Sequence, residues 1–241
     1  MNEVTLEKMG KLRLFGMQQS FRGILESKSY GQFTIDQLLA TLVQAEWEEQ
    51  ENRKINRLMQ NAKFRYQASL DEIDYQHSRN LDKNQMLRLT DCNYLKKAEN
   101  ILITGATGLG KSYILSALGN QACLMGYKVI YRNTQKLFNA LKLARVDGSY
   151  LKEMKKIERQ DLLIIDDFGL QQLDSLASLT LMEMIEDRFA IKSMIIGSQL
   201  PLDKWYEVIT EKTVADAVLD RLLNTSHKII LKGESMRRKK H

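Results

Sequence analysis

Between Ile101 and Gly119 the chain reads ILITGATGLGKSYILSALG. Four β-prone residues, a loop with three glycines and a helical apolar pattern leave little choice: strand, tight loop, helix. Gly105, Gly110, Lys111 and Ser112 stand at the spacing G-x-x-x-x-G-K-[ST]. A triphosphate is best held by backbone N–H groups that converge on it, and Gly105, Gly108 and Gly110 permit the curl this needs. The following helix points its positive end at the phosphates. Lys111 would reach the β and γ phosphates, and the Ser112 hydroxyl would ligate Mg²⁺. The expected ATP cradle is Gly105, Ala106, Thr107, Gly108, Leu109, Gly110, Lys111 and Ser112.

The rhythm around this loop sets the fold class. From about residue 100, strand and helix patterns alternate: strands at 101–104, 128–132, 161–166 and 193–198, with helices at 111–125, 134–145, 149–159 and 174–190. The strands are apolar on both sides, so a parallel sheet with helices on both faces is expected. A helix at 212–225, a short strand in HKIILKG and a basic tail close the chain.

Residues 1 to about 95 read as almost entirely helical. Leu6, Met9 and Leu12 recur at helical spacing, and Met17, Phe21, Ile24 and Leu25 continue the stripe after Gly16. TIDQ at 34–37 is a capping box that starts a long helix reaching about Ala62 or Phe64. SLDE at 69–72 is a second capping box, and Asp82 caps a third helix through Leu89. Lys54, Arg57, Lys63 and Arg65 form a basic cluster that serves either as a solvated face or as a docking surface. The expected domains are 1–68, a small all-helical unit, and 69–241, an ATPase domain with its basic tail at 233–241.

The second half of the site lies in LLIIDDFG, 162–169. A buried strand that ends in two acids puts carboxylates at the sheet's C-terminal edge, where open α/β sheets bind ligands. Asp166 would hold Mg²⁺, directly or through water. Asp167 would polarise the attacking water. After the next strand, Ser198 or Gln199 is positioned to sense the γ phosphate or orient water. Arg221, in DRLLN, either pairs with Asp216 or Asp220 or reaches a neighbouring subunit's nucleotide. Arg237, in GESMRR, is placed to contact the γ phosphate of its own chain.

Composition narrows the setting. The two cysteines, Cys92 and Cys123, fall in no ligand spacing, and the three histidines are scattered, so neither a disulfide framework nor a protein-built metal centre is expected. No apolar run is long enough to span a membrane, and the N-terminus lacks a secretory pattern, so a cytoplasmic location is expected. The formal net charge of +6 suits a nucleic-acid partner without requiring one.

GATGLGKS, LLIIDDFG, SQLP-x-DKWY, ADAVLDRL and GESMRR together resemble the IstB-like ATPases, and LRLFGM and KFRYQASLDEIDY extend the likeness over nearly the whole chain. These are transposition helper proteins in the AAA+ branch that also holds the initiator DnaA and the helicase loader DnaC. The resemblance implies an AAA+ P-loop fold behind a small helical domain. It implies an ATPase that assembles as a homo-oligomer on duplex DNA and assists a cognate transposase. By motif, Lys111 and Ser112 are Walker A, and Asp166 and Asp167 Walker B. Ser198 or Gln199 is sensor one, Arg221 the arginine finger and Arg237 sensor two. The pair Asp-Asp, where the loader has Asp-Glu, shortens the base's reach and favours the transposition side over a helicase loader. A small-molecule kinase sharing only the phosphate loop would need an arginine-rich lid, and this chain spends its arginines elsewhere. The cations of 132–159, from Arg132 and Lys136 to Arg159, are candidates to neutralise DNA phosphates without reading bases.

Overall fold

A computed structural model describes residues 2–76 and 78–236; Arg237 and the rest of the tail lie outside the described residues. The chain separates into two compact units, Met1–Arg57 and Leu58–His241.

The first unit is helical. Helix α1 spans Asn2–Lys11 and α2 spans Phe15–Glu26. The apolar stripe expected to run through both is broken at Arg13, whose φ of +61° is incompatible with a continuing helix. Helix α3, Ile35–Ala62, starts at the TIDQ box. There the Thr34 N–H donates to Gln37 Oε1 at 3.0 Å and the Gln37 N–H donates to Thr34 Oγ1 at 3.2 Å, the reciprocal pair a capping box requires. The N-terminus of α2 has no side-chain cap of its own. Glu46 on α3 supplies one: its Oε2 accepts from the N–H groups of Gly16 and Met17 at 2.8 and 3.2 Å. A carboxylate at that end satisfies orphan donors and complements the helix dipole. Gly16 makes the approach possible, since a Cβ there would lie 2.2 Å from the Ala45 carbonyl oxygen.

The second unit has the expected α/β fold. After α3 come α4 (Lys83–Leu89), α5 (Asn93–Lys96), β1 (Asn100–Thr104), α6 (Lys111–Leu124) and β2 (Val129–Asn133). Then follow α7 (Thr134–Val146), α8 (Tyr150–Glu158), β3 (Leu162–Phe168), α9 (Ser175–Glu186), β4 (Ser193–Ser198), α10 (Lys212–Leu223) and β5 (Ser226–Ile230). The sheet is parallel throughout, in the order β2-β3-β4-β1-β5. Period-two alternation splits its side chains between two cores. Ile101, Ile103, Leu162, Ile164 and Ile195 pack with α6 on one face. Leu102, Leu163, Ile165, Met194 and Ile196 pack with α7, α8, α9 and α10 on the other.

Residues 63–82 depart from expectation. Within this stretch the described residues, 63–76 and 78–82, form turns and irregular backbone instead of helix. Asp82 does cap α4, accepting from the Asn84 N–H at 2.8 Å. SLDE makes only a turn: Ser69 Oγ accepts from the Asp71 N–H at 3.3 Å, while Glu72 accepts from the Tyr113 hydroxyl at 2.7 Å instead of reaching back. The segment is held by tertiary packing, with Ala68 and Ile73 buried in the core under the α6 face. Tertiary contacts of this kind override local propensity.

Candidate phosphate-binding site

The loop 105–110 joins the C-terminal end of β1 to the first turn of α6. Gly110 is the residue before the helix and has φ +82°, a left-handed conformation that side-chain-bearing residues adopt at a cost. Gly108, at φ +90°, is needed for a second reason: a Cβ there would lie 2.0 Å from Ser235 Oγ, because the C-terminal segment crosses the loop. That segment is fastened by the Met236 N–H donating to the Gly108 carbonyl at 3.0 Å. Lys111 is 7% exposed, and its ammonium donates to the carbonyls of Gly105 at 2.7 Å and Ala106 at 2.9 Å.

The acids come from β3. Between Ile165 and Phe168 this strand carries one more residue than β4, whose partners are Ile196 and Ser198. The resulting bulge turns the chain, and Asp167 has φ +59°. Bulges beside functional sites re-aim side chains, and Asp is among the residues that tolerate this region. Asp166 remains 1% exposed. Its Oδ1 accepts from the Asp167 N–H at 2.8 Å, and its Oδ2 accepts from the Tyr131 hydroxyl. Burial, with the neighbouring Asp166 charge, pushes the Tyr131 phenol well above its ordinary value, so Tyr131 stays a donor. Asp167 Oδ2 accepts from Asn133 Nδ2 at 2.9 Å and from Arg65 Nη1 at 3.1 Å. The same guanidinium nitrogen stands 3.5 Å from Asp166 Oδ2.

The loop and Asp167 border one cavity of about 610 Å³. Thr107, Gly108, Gly110, Lys111 and Ser112 line one side, and Arg65, Asp167 and Gln199 also face it. Tyr66, Ile73, Tyr113, Leu170 and Met236 supply apolar and aromatic surface. The volume is in the range of small-molecule and cofactor sites.

The structure separates Ser198 from Gln199. Gln199 Oε1 accepts from the Thr107 hydroxyl at 2.6 Å and lines the cavity. Ser198 is fully buried; its hydroxyl donates to the Phe168 carbonyl at 2.7 Å and accepts from the Leu200 N–H at 3.0 Å, so it ties β3 to β4. Arg221 does not face this cavity. It pairs with Glu186 at 3.0 Å and donates to the Ala217 carbonyl at 3.1 Å, with neither Asp216 nor Asp220 as its partner. Arg237 lies outside the described residues.

Four side chains at the site were not anticipated from sequence: Arg65, Tyr131 and Asn133 on the acids, and Arg79. Arg79 is 3% exposed and donates to the carbonyls of Leu109 at 2.9 Å and Asp74 at 2.8 Å, joining Asp74 to the loop. Its sequence surroundings, HSRN, carry no motif.

No group of three or more His, Cys, Asp or Glu side chains among the described residues forms a metal cluster. Mg²⁺ does not need one, since it is held by one or two carboxylates together with phosphate oxygens and water. Ser112 and Asp167 on the cavity, with Asp166 directly behind, fit that mode. No helix among the described residues is long and apolar enough to cross a membrane.

A family model described as IstB-like ATP binding protein matches residues 7–241. An insertion-sequence ATP-binding protein of Sinorhizobium fredii is 38% identical over 234 residues, covering 97% of this chain and 96% of that protein. Another, from Pseudomonas fluorescens, is 34% identical over 202 residues, covering 83% of this chain and 87% of that protein. Among solved structures, DnaI superposes with a TM-score of 0.57 at 18% identity, covering 73% of this chain and 94% of its own. The DnaC helicase loader gives 0.56 at 18%, covering 69% and 98%. DnaA bound to AMPPCP and single-stranded DNA gives 0.57 at 18%, covering 71% and 52%. At these identities the structural likeness establishes the P-loop α/β fold alone.

Proposed function

The chain belongs to the IstB-like ATP-binding protein family, and from that premise we propose that it is an ATPase whose nucleotide-bound form assembles on duplex DNA and assists a transposase. One observation carries the reading: the Lys111 loop and Asp167, with the buried Asp166 adjacent to it in the chain, meet at a single cavity large enough for a nucleoside triphosphate.

ATP would enter with its phosphates against the loop and the start of α6, and its base against the Tyr66, Ile73 and Tyr113 wall. The Lys111 ammonium exchanges two loop carbonyls for the β and γ phosphates, a stronger, fully ionic partnership. Ser112 and Asp166 would hold Mg²⁺, which supplies charge neutralisation along the phosphate chain. Asp167 accepts the proton of the attacking water, and the Gln199 amide orients that water. Tyr131 and Asn133 fix the two carboxylates so that neither reorganises during turnover. Arg221, outside its own chain's cavity, acts on the nucleotide of an adjacent copy. That role makes a homo-oligomer a requirement of hydrolysis.

The duplex would be gripped through phosphates by the cations of α7 and α8, among them Lys142, Lys152 and Lys155, with weak sequence preference and steep salt dependence. Relatives named for insertion sequences, similar over nearly the full chain, favour transposition over helicase loading.

The test compares the protein with and without ATP on duplex and single-stranded DNA of equal length. ATP-dependent oligomers on duplex are expected. A chain that stays monomeric with duplex and a non-hydrolysable ATP analogue would overturn the assembly reading, and a strong single-strand preference would favour the helicase loader.

A further inference from the structure

A second cavity of about 760 Å³ adjoins the first. Lys63, Arg132 and Lys136 line it, with Asn133 and Gln135 between them. Arg65 and Asp167 face both cavities. Four cations thus border the second cavity against one carboxylate, and Arg65 spends its charge on that carboxylate. Arg65 stands three positions after the last residue of α3, and its side chain is 44% exposed while that of Asp166 is 1% exposed. The guanidinium therefore covers the acids from the solvent side.

This contact conflicts with the chemistry assigned to the acids. Arg65 and Asn133 both donate to Asp167 Oδ2, so that oxygen is occupied by protein donors and must give one of them up to meet the attacking water. A guanidinium 3.5 Å from Asp166 Oδ2 also repels a divalent cation approaching the same oxygen. The pair is open to water at its arginine end, and a long side chain that reaches solvent has other positions open to it, so the contact can be exchanged. Because Arg65 also lines the basic groove, an anion bound there offers it another partner. Guanidinium matches phosphate as well as carboxylate, in a forked geometry.

We infer that Arg65 is an inhibitory latch on Asp166 and Asp167, released when a phosphodiester backbone occupies the groove lined by Lys63, Arg132 and Lys136. The groove is thereby a nucleic-acid phosphate site that reports occupancy to the nucleotide cavity through one side chain. The inference rests on the proposed ATPase and DNA-binding reading. It adds a positioning residue and the route by which DNA governs turnover.

The experiment measures ATP turnover by the full chain, with and without a duplex oligonucleotide, for wild type, Arg65→Gln and Arg65→Lys, together with the Mg²⁺ concentration for half-maximal turnover. Arg65→Gln is expected to hydrolyse ATP several-fold faster than wild type without DNA, to need less Mg²⁺ and to gain little from duplex. Arg65→Lys keeps the charge but not the fork, and is expected to fall between wild type and Arg65→Gln both in basal rate and in response to DNA. A basal rate in Arg65→Gln equal to or below wild type, at unchanged Mg²⁺ demand, overturns the latch. An equal stimulation by duplex in Arg65→Gln and wild type overturns the groove's part in releasing it. Failure of wild type to bind duplex, read separately by fluorescence anisotropy, would instead strike the DNA-binding reading. The basal comparison still decides the latch in that case.

Discussion

The ammonium of Lys111 donates to the carbonyl of Gly105 at 2.7 Å, so the loop closes on its own lysine. A lysine held this way is already oriented toward the space its phosphates would fill, and little side-chain entropy is left to lose on binding. Replacing it removes charge-assisted hydrogen bonds worth about 1.5–3 kcal/mol each. Lys111→Ala is expected to weaken ATP binding by more than about tenfold and to abolish ATP-dependent assembly on duplex. Equilibrium titration with a fluorescent ATP analogue checks the first, and sizing with DNA present checks the second.

Arg221 allows a cleaner separation of binding from turnover. Its pair with Glu186 joins a 28% exposed side chain to a 53% exposed one, and such pairs contribute only about 0–1 kcal/mol to folding. Arg221→Ala should therefore leave the melting temperature and nucleotide affinity nearly unchanged. Hydrolysis should fall by about a thousandfold or more if the guanidinium acts on a neighbour's phosphate. Mixing Arg221→Ala with Lys111→Ala chains tests the direction: the first brings an intact cavity and the second an intact finger, so partial recovery of turnover is expected.

Much of this architecture is legible from sequence because its signals are local. The TIDQ box closes reciprocally at Thr34 and Gln37, Asp82 caps α4, and the strands appear as apolar runs because both faces of the sheet are covered. The readings that failed depend on contacts distant in sequence. SLDE satisfies a capping pattern, yet Glu72 goes to Tyr113, 41 residues away. Arg65 looks like part of a solvated basic run until the fold brings it to Asp167, 102 residues on. The β3 bulge leaves no mark in LLIIDDFG, since a regular strand would spell the same letters. Ser198 and Gln199 are likewise indistinguishable as neighbours until alternation buries one and exposes the other to the cavity.

Both cysteines are fully buried, and burial pushes the thiols up to about 11 for Cys92 and about 12 for Cys123. The thiolate is the reactive form, so at neutral pH neither is both ionised and accessible. A thiol-alkylating reagent is expected to add nothing to the native chain over minutes and two adducts after denaturation, read by intact-mass spectrometry. Rapid native labelling of either residue would contradict the packing around α6 and β1.

Glu46 gives the N-terminal unit a pH dependence of defined sign. Burial acts to raise its pKa, but the hydrogen bonds from Gln50 and from the Met17 and Gly16 N–H groups, with the Arg53 charge, outweigh it and hold the carboxyl below its ordinary value of 4.5. A group whose folded-state pKa is depressed adds stability that is fully present above the unfolded value and fades as pH falls through the folded one. Residues 1–57 should therefore hold their helical signal at neutral pH and weaken below about pH 4.5. Glu46→Gln keeps the shape but removes the charge at the start of α2. It should lower the midpoint of thermal unfolding at pH 7 and show a smaller difference from wild type as the buffer is made more acidic. Circular dichroism melts at several pH values supply the comparison. A Glu46→Gln deficit that stayed constant down to pH 3 would mean that packing at Gly16, rather than the ionised carboxylate, holds α2 against α3.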